Sequence, residues 1–249
     1  MKSKELFLRY FLFGAFLAGV MVVVLPLRAV DEAMDEADPS VQIRQLHFLA
    51  PSAVSAATLL PAPPLPGSDE EAADLDEVRT VYKAASEADK QAAYSEKKFT
   101  VFNFAGAVGS FFVQTNLPKT AAFFAKVQQD AETVTDSGKN YFKRPRPYTV
   151  DPSLANGKLE TSYSYPSGHS TETMVIGLVL AQALSDLHDP IIAHARLMGW
   201  HRVEIARHYA TDIYAGRALA KAIVREMKKN QDFQRELSEI KAEIAAARN

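Results

Sequence analysis

Apolar residues recur at three- and four-residue spacing through ADLDEVRTVYKAASEADKQAAYSEKK, residues 73–98, and the same period returns in nearly every segment that follows. A chain with this period and no convincing two-residue alternation must bury helix stripes against one another, so the fold class is all-α, a helical bundle. The stretch 100–114 (TVFNFAGAVGSFFVQ) is apolar all round and predicts a buried helix. Another helix runs from Pro118 through Phe142 and is stopped by Pro145 and Pro147. Residues 170–187, 190–208, 211–229 and 231–249 supply four more, the last with the alternating charge of a solvated outer helix. Four prolines and a glycine in LLPAPPLPGSDEEA, residues 59–72, force an extended path, a Pro-rich N-terminal arm ahead of the bundle.

The first residues bear on compartment. Lys2, Lys4 and Arg9 precede an apolar run over 10–27, the pattern of a secretory signal, but Leu27 sits two before Ala29 and makes a poor cleavage site. Residues 1–30 therefore read as a signal peptide or a membrane anchor, with the remainder outside the cytoplasm, periplasmic or secreted. An acidic linker over 31–44 leads into one domain, 45–249. The formal charge of −2 and the lack of a basic tract argue against nucleic acid as a partner. With no cysteine there are no disulfides, thiolate metal sites or thiol nucleophile.

Three separated stretches carry chemistry. GKNYFKRPRPY (138–148) holds Lys139 and Arg146, YPSGHS (165–170) holds Ser167, Gly168 and His169, and WHRVEIARHYATD (200–212) holds Arg202, His208 and Asp212. Each alone is compatible with ordinary helix ends and polar faces. His194, His201 and His208 recur every seven residues, but on a helix that is a rise of about 10 Å, too far to share an ion. Taken together, three cations, a hydroxyl, a glycine amide at a helix start and two imidazoles suit a tetrahedral oxyanion, whose transfer needs positioning and charge stabilisation. Asp212, four after His208, is placed to reach back to that imidazole.

The series Lys139-NYFKRP-Arg146-Pro, Pro166-Ser-Gly-His169 and Arg202-VEIAR-His208-YAT-Asp212 resembles the signature of the type 2 phosphatidic acid phosphatase and vanadium haloperoxidase superfamily, and within it the bacterial class A non-specific acid phosphatases. The resemblance covers roughly residues 45–245 and implies an all-α bundle of that type. It implies a phosphomonoesterase without metal or other cofactor, acting on small phosphomonoesters, often as a homo-oligomer, and touching membrane only through an uncleaved N-terminal segment. It also implies roles: Lys139, Arg146, Ser167, Gly168 and Arg202 as phosphate clamp, His208 as nucleophile, Asp212 as its orienter, His169 as acid and base. A membrane-anchored lipid phosphate phosphatase and a vanadium-dependent haloperoxidase share the signature and remain alternatives. Two positions depart from the pattern. His201 stands where Ser is usual, so altered support of Arg202 is expected; Arg207 is expected to disfavour protonation of His208 by like-charge repulsion. Tyr148, Tyr163 and Tyr165 flank the motifs, as leaving-group stackers or as packing.

Overall fold

The computed structural model describes residues 45–248; the signal or anchor reading of 1–30 and the linker reading of 31–44 fall outside them. The described residues form ten α-helices and no strand: α1 Ala56–Leu59, α2 Asp69–Ala84, α3 Glu87–Ser95, α4 Ala105–Val108, α5 Pro118–Phe142, α6 Pro147–Val150, α7 Gly168–Ala183, α8 His188–Glu204, α9 Ala210–Met227 and α10 Gln231–Arg248. None of them is long and apolar enough to cross a membrane.

Helix α7 is the axis of the bundle because its sequence is apolar on every side. Val175, Ile176, Val179 and Leu180 are fully buried, and α5, α8 and α9 pack around them. Gly177 lets α8 come close: a Cβ there would lie 2.9 Å from that of Ala195. Truncating Ile176 to Ala would cost about 2–5 kcal/mol in such a core. Helix α5 begins after Leu117 without a side-chain cap, and Glu243 of α10 supplies one, accepting from the Lys119 and Thr120 amides at 2.9 and 2.7 Å. Asp130, buried in the middle of α5, accepts three amides, those of His47, Phe48 and Leu49, and so fixes the start of the domain.

The elements differ from the sequence expectation in four places. The pattern over 73–98 is cut in two at Ser86, whose capping box with Asp89 starts a new helix. The helix expected over 100–114 is not formed: a 3₁₀ turn, Val101–Phe104, leads into α4, which ends after one turn at Gly109. Gly109, at φ 133, leaves helical space, and Phe112 turns into the core beyond it. The proline-rich stretch is irregular over 60–67, while α1 and α2 take its two ends; Pro61 O accepts the Tyr165 hydroxyl at 2.7 Å. The helix expected over 190–208 stops at Glu204. The Arg207 and His208 amides fold back onto Arg202 O, at 2.8 and 3.3 Å, with Ala206 at φ 52. His208 is thereby lifted off the helix onto a turn.

Candidate active site

Five segments meet at one end of the bundle: the last turn of α5, the start of α6, the N-terminus of α7, the last turn of α8 and the turn into α9. The α5 chain stops because Lys143 takes the left-handed conformation ahead of Arg144-Pro145. That stop puts Lys139 and Arg146 on the same end. Lys139 is buried with its nearest carboxylate, Asp136, at 4.0 Å, and burial followed by the charge of Arg146 holds its pKa below the usual lysine value. A side chain added at Gly168 would stand 3.4 Å from Lys139 Nζ, so the ammonium faces the bare backbone at the start of α7. Ser167 caps that helix, accepting from the Ser170 amide at 3.3 Å, and its own amide is held by Asp212 O at 3.1 Å.

The guanidiniums converge from opposite sides. Arg146, 3% exposed, donates through Nε to Ser162 O (2.7 Å), through Nη2 to Ser162 Oγ (3.0 Å) and through Nη1 to Arg207 O (3.0 Å). Arg202, 2% exposed, donates through Nη1 to Ala93 O at 3.3 Å, while its buried Nε has no acceptor. A buried donor without a partner is costly unless a ligand meets it. Glu160 lies between the two, Oε2 at 2.5 Å from Arg146 Nη1 and Oε1 at 2.9 Å from Arg202 Nη2.

His208 is fully enclosed, and its partners fix its tautomer. Arg146 Nη1 lies 3.2 Å from Nε2 and can only donate, so Nε2 carries the lone pair. Nδ1, 3.2 Å from Asp212 Oδ2, carries the proton. Loss of water, then the charge of Arg146, pushes the imidazole down to about 4. His169 has the opposite tautomer in its neutral form: Nε2 is 3.1 Å from Glu96 O, a pure acceptor, which leaves Nδ1 for chemistry. Desolvation and the charge of Arg202 take it down to about 3. Asp212 is the hub. Although burial opposes its charge, its hydrogen bond with His208 and the charge of Arg144 hold it below the usual carboxylate value. It accepts from Arg144 Nη1 at 2.6 Å, from the Tyr209 amide at 3.0 Å and from the Ser164 hydroxyl.

Residues 120–235 match the PAP2 superfamily, and that span contains all eight residues of the three motifs. Those residues form a PAP2 superfamily domain. The whole chain is 26% identical to a Providencia stuartii protein named non-specific acid phosphatase, over 94% of this chain and 97% of that one. It is 27% identical to a Salmonella typhi protein of the same name over 73% and 78% of the two chains. Among solved structures, a bacterial vanadium-dependent iodoperoxidase superposes with a TM-score of 0.54 at 22% identity, over 71% of this chain. This chain spans 53% of that enzyme's length, and the likeness establishes the shared helical fold.

Several residues of the candidate site are not legible in the motifs. Arg144 sits inside KRPRPY, yet its meaning depends on Asp74, 70 residues earlier, which accepts from Nη2 at 2.6 Å. Ser164 and Glu160 belong to an irregular segment without periodicity. The expectation for Arg207 is corrected: its guanidinium turns away to Asn156 O and Lys158 O, and the like charge acting on His208 is that of Arg146. His201 does not contact Arg202's guanidinium; Nδ1 pairs with Glu96 Oε2 at 2.8 Å, and Glu96 O holds His169. Tyr165 is packing, edge-on to Phe142. Tyr148 is buried with its hydroxyl on Glu160 O, and Tyr163 is exposed. Among the described residues no group of three or more His, Asp or Glu is arranged to hold a metal ion.

Proposed function

We propose that this chain is an acid phosphatase that hydrolyses phosphomonoesters through a phosphohistidine on His208, with no metal. The observation that carries the reading is the position of His208 Nε2: an unprotonated ring nitrogen, its tautomer fixed by Asp212, 3.2 Å from a buried guanidinium. A phosphoryl group held by Lys139, Arg146, Arg202, Ser167 and the Gly168 amide would have its charge met by protein cations alone. In the first step Nε2 attacks phosphorus in line as the ester P–O bond breaks, and His169 gives the Nδ1 proton to the departing alkoxide. In the second, His169 Nδ1 takes a proton from water, the hydroxide attacks phosphorus, and the N–P electron pair returns to Nε2 as phosphate forms.

Protonation fits this division. Both imidazoles are depressed by burial and by the neighbouring guanidiniums of Arg202 and Arg146. A bound phosphate dianion adds negative charge beside His169 and raises its affinity for the proton that it must donate, which favours activity on the acid side of neutral. The relatives' names and the secretory pattern of residues 1–30 support a phosphatase working in the periplasm or outside the cell, and a homo-oligomer is the assembly we expect. The test is release of p-nitrophenol from p-nitrophenyl phosphate at mildly acid pH in excess EDTA, beside His208→Ala. Turnover that survives the chelator and disappears in the variant supports the mechanism; a folded wild-type protein that does not turn over ends it.

A further inference from the structure

Glu160 is held at its backbone by a tyrosine hydroxyl and at its side chain by two guanidiniums. Tyr148 Oη donates to Glu160 O at 2.7 Å and accepts from the Glu160 amide at 3.2 Å. From that fixed point the carboxylate extends between the guanidiniums of Arg146 and Arg202, one oxygen on each, at 2.5 and 2.9 Å. A carboxylate and a phosphate present comparable oxygen pairs to a guanidinium fork. The group therefore sits where the proposed clamp would place a phosphoryl group. Burial alone would raise its pKa, but Arg146 foremost, with His208 and Arg202, brings it down to about 2, so it is ionised throughout the working range.

We propose that Glu160 is an exchangeable counter-anion: its carboxylate fills the anion seat of the empty enzyme, is displaced by the phosphoryl group of the substrate, and returns as phosphate leaves. This rests on the phosphatase reading of the same site. Two buried guanidiniums with no anion between them would be uncompensated charges in a poorly hydrated place, and Glu160 supplies the compensation between turnovers. The exchange falls to the carboxylate because its side chain is 26% exposed, against 3% and 2% for the guanidiniums it bridges. Since Tyr148 fixes the Glu160 backbone, side-chain torsions suffice to move the carboxylate out. Glu160 is not needed to aim Arg146, which Ser162 O, Ser162 Oγ and Arg207 O already orient.

Apparent affinity falls by the fraction of molecules whose seat is open, so a carboxylate in place nine-tenths of the time weakens phosphate binding about tenfold. The experiment measures the Kd of inorganic phosphate by calorimetry at pH 7 for the full chain, for Glu160→Gln and for Glu160→Ala, and the KM for p-nitrophenyl phosphate in each. Both variants are expected to bind phosphate about tenfold more tightly, with KM lowered in parallel. Unchanged or weaker phosphate binding in both variants overturns the proposal, since a residue that merely aimed the arginines would loosen the clamp when removed. Wild-type turnover with that result leaves the phosphatase reading standing. Tighter phosphate binding in the variants without turnover by the wild type ends the phosphatase reading and supports the counter-anion. Absence of phosphate binding in all three proteins overturns both.

Discussion

Replacing Arg144 with Met tests the network behind the proposed nucleophile. Its guanidinium is bonded at 2.6 Å to both Asp212 and Asp74, at 2.7 Å to the Thr211 hydroxyl, and lies 3.7 Å from the Tyr209 ring centre. Arg144 and both carboxylates are buried, so the substitution strands two negative charges in a site with little water. Removing one partner of a buried pair costs about 3–5 kcal/mol. For a domain of this size that is a fall in Tm of roughly 6–20 °C. The pH dependence has a definite sign. The pKa of Asp212 in the folded chain is below its unfolded value, so its contribution is present above about pH 4 and is lost as pH falls through the lower, folded value. Urea unfolding of wild type and Arg144→Met should therefore differ by the full amount at pH 7, and the gap should narrow below pH 4. A loss under about 1 kcal/mol at pH 7, or a gap that persists unchanged in acid, would refute the reasoning.

Other outcomes follow from the same geometry. Gly216→Ala places a Cβ 2.9 Å from Ser167 O and 3.0 Å from Ser170 Cβ, so it should cost about 1–3 kcal/mol and raise the KM for p-nitrophenyl phosphate. Gly106→Ala, which meets nothing within 4 Å, is the control, and equal losses in the two would remove the steric argument. His169 and His208 have folded pKa values near 3 and 4, below the unfolded imidazole, so their contribution is complete above about pH 6.5 and declines as pH falls toward those values. The slope is up to about 1.4 kcal/mol per pH unit for each ring, and His208→Gln should have a shallower acid decline in urea midpoints than wild type. His201 moves the other way: burial opposes its charge, but the Glu96 carboxylate raises its pKa. His201→Ser should then lose about 1 kcal/mol below pH 6.5, allowing for solvent screening, and the difference should fade as pH rises through the elevated pKa. Equal losses at pH 6 and pH 9 would show that the pair is not acting through charge.

The legible part of the site was the part encoded in short spacings. Ser167, Gly168 and His169 are consecutive, and Asp212 follows His208 by one helical turn, so their encounter needs only a local helix start. The segment 100–114 was misread because apolarity on all sides describes a buried helix and a buried broken chain equally well. Only the backbone at Gly109 separates them. Arg207 was misread for a related reason. Adjacency to His208 in sequence says nothing of direction, and the turn at Ala206 sends the guanidinium toward Asn156 instead.

By itself, the sequence determined the all-α class, the order of the three motifs and the inventory of cations, imidazoles and carboxylate, because helix period and residue chemistry are local properties. Tertiary structure decided what those groups do to one another. Arg144 becomes the support of Asp212 only when α2 brings Asp74 to it from 70 residues away, and Glu160 becomes a counter-anion only when an irregular segment lays it between α6 and α8. Charges act through distance and desolvation, and neither exists for this chain until α7 is buried and five segments close around its N-terminus.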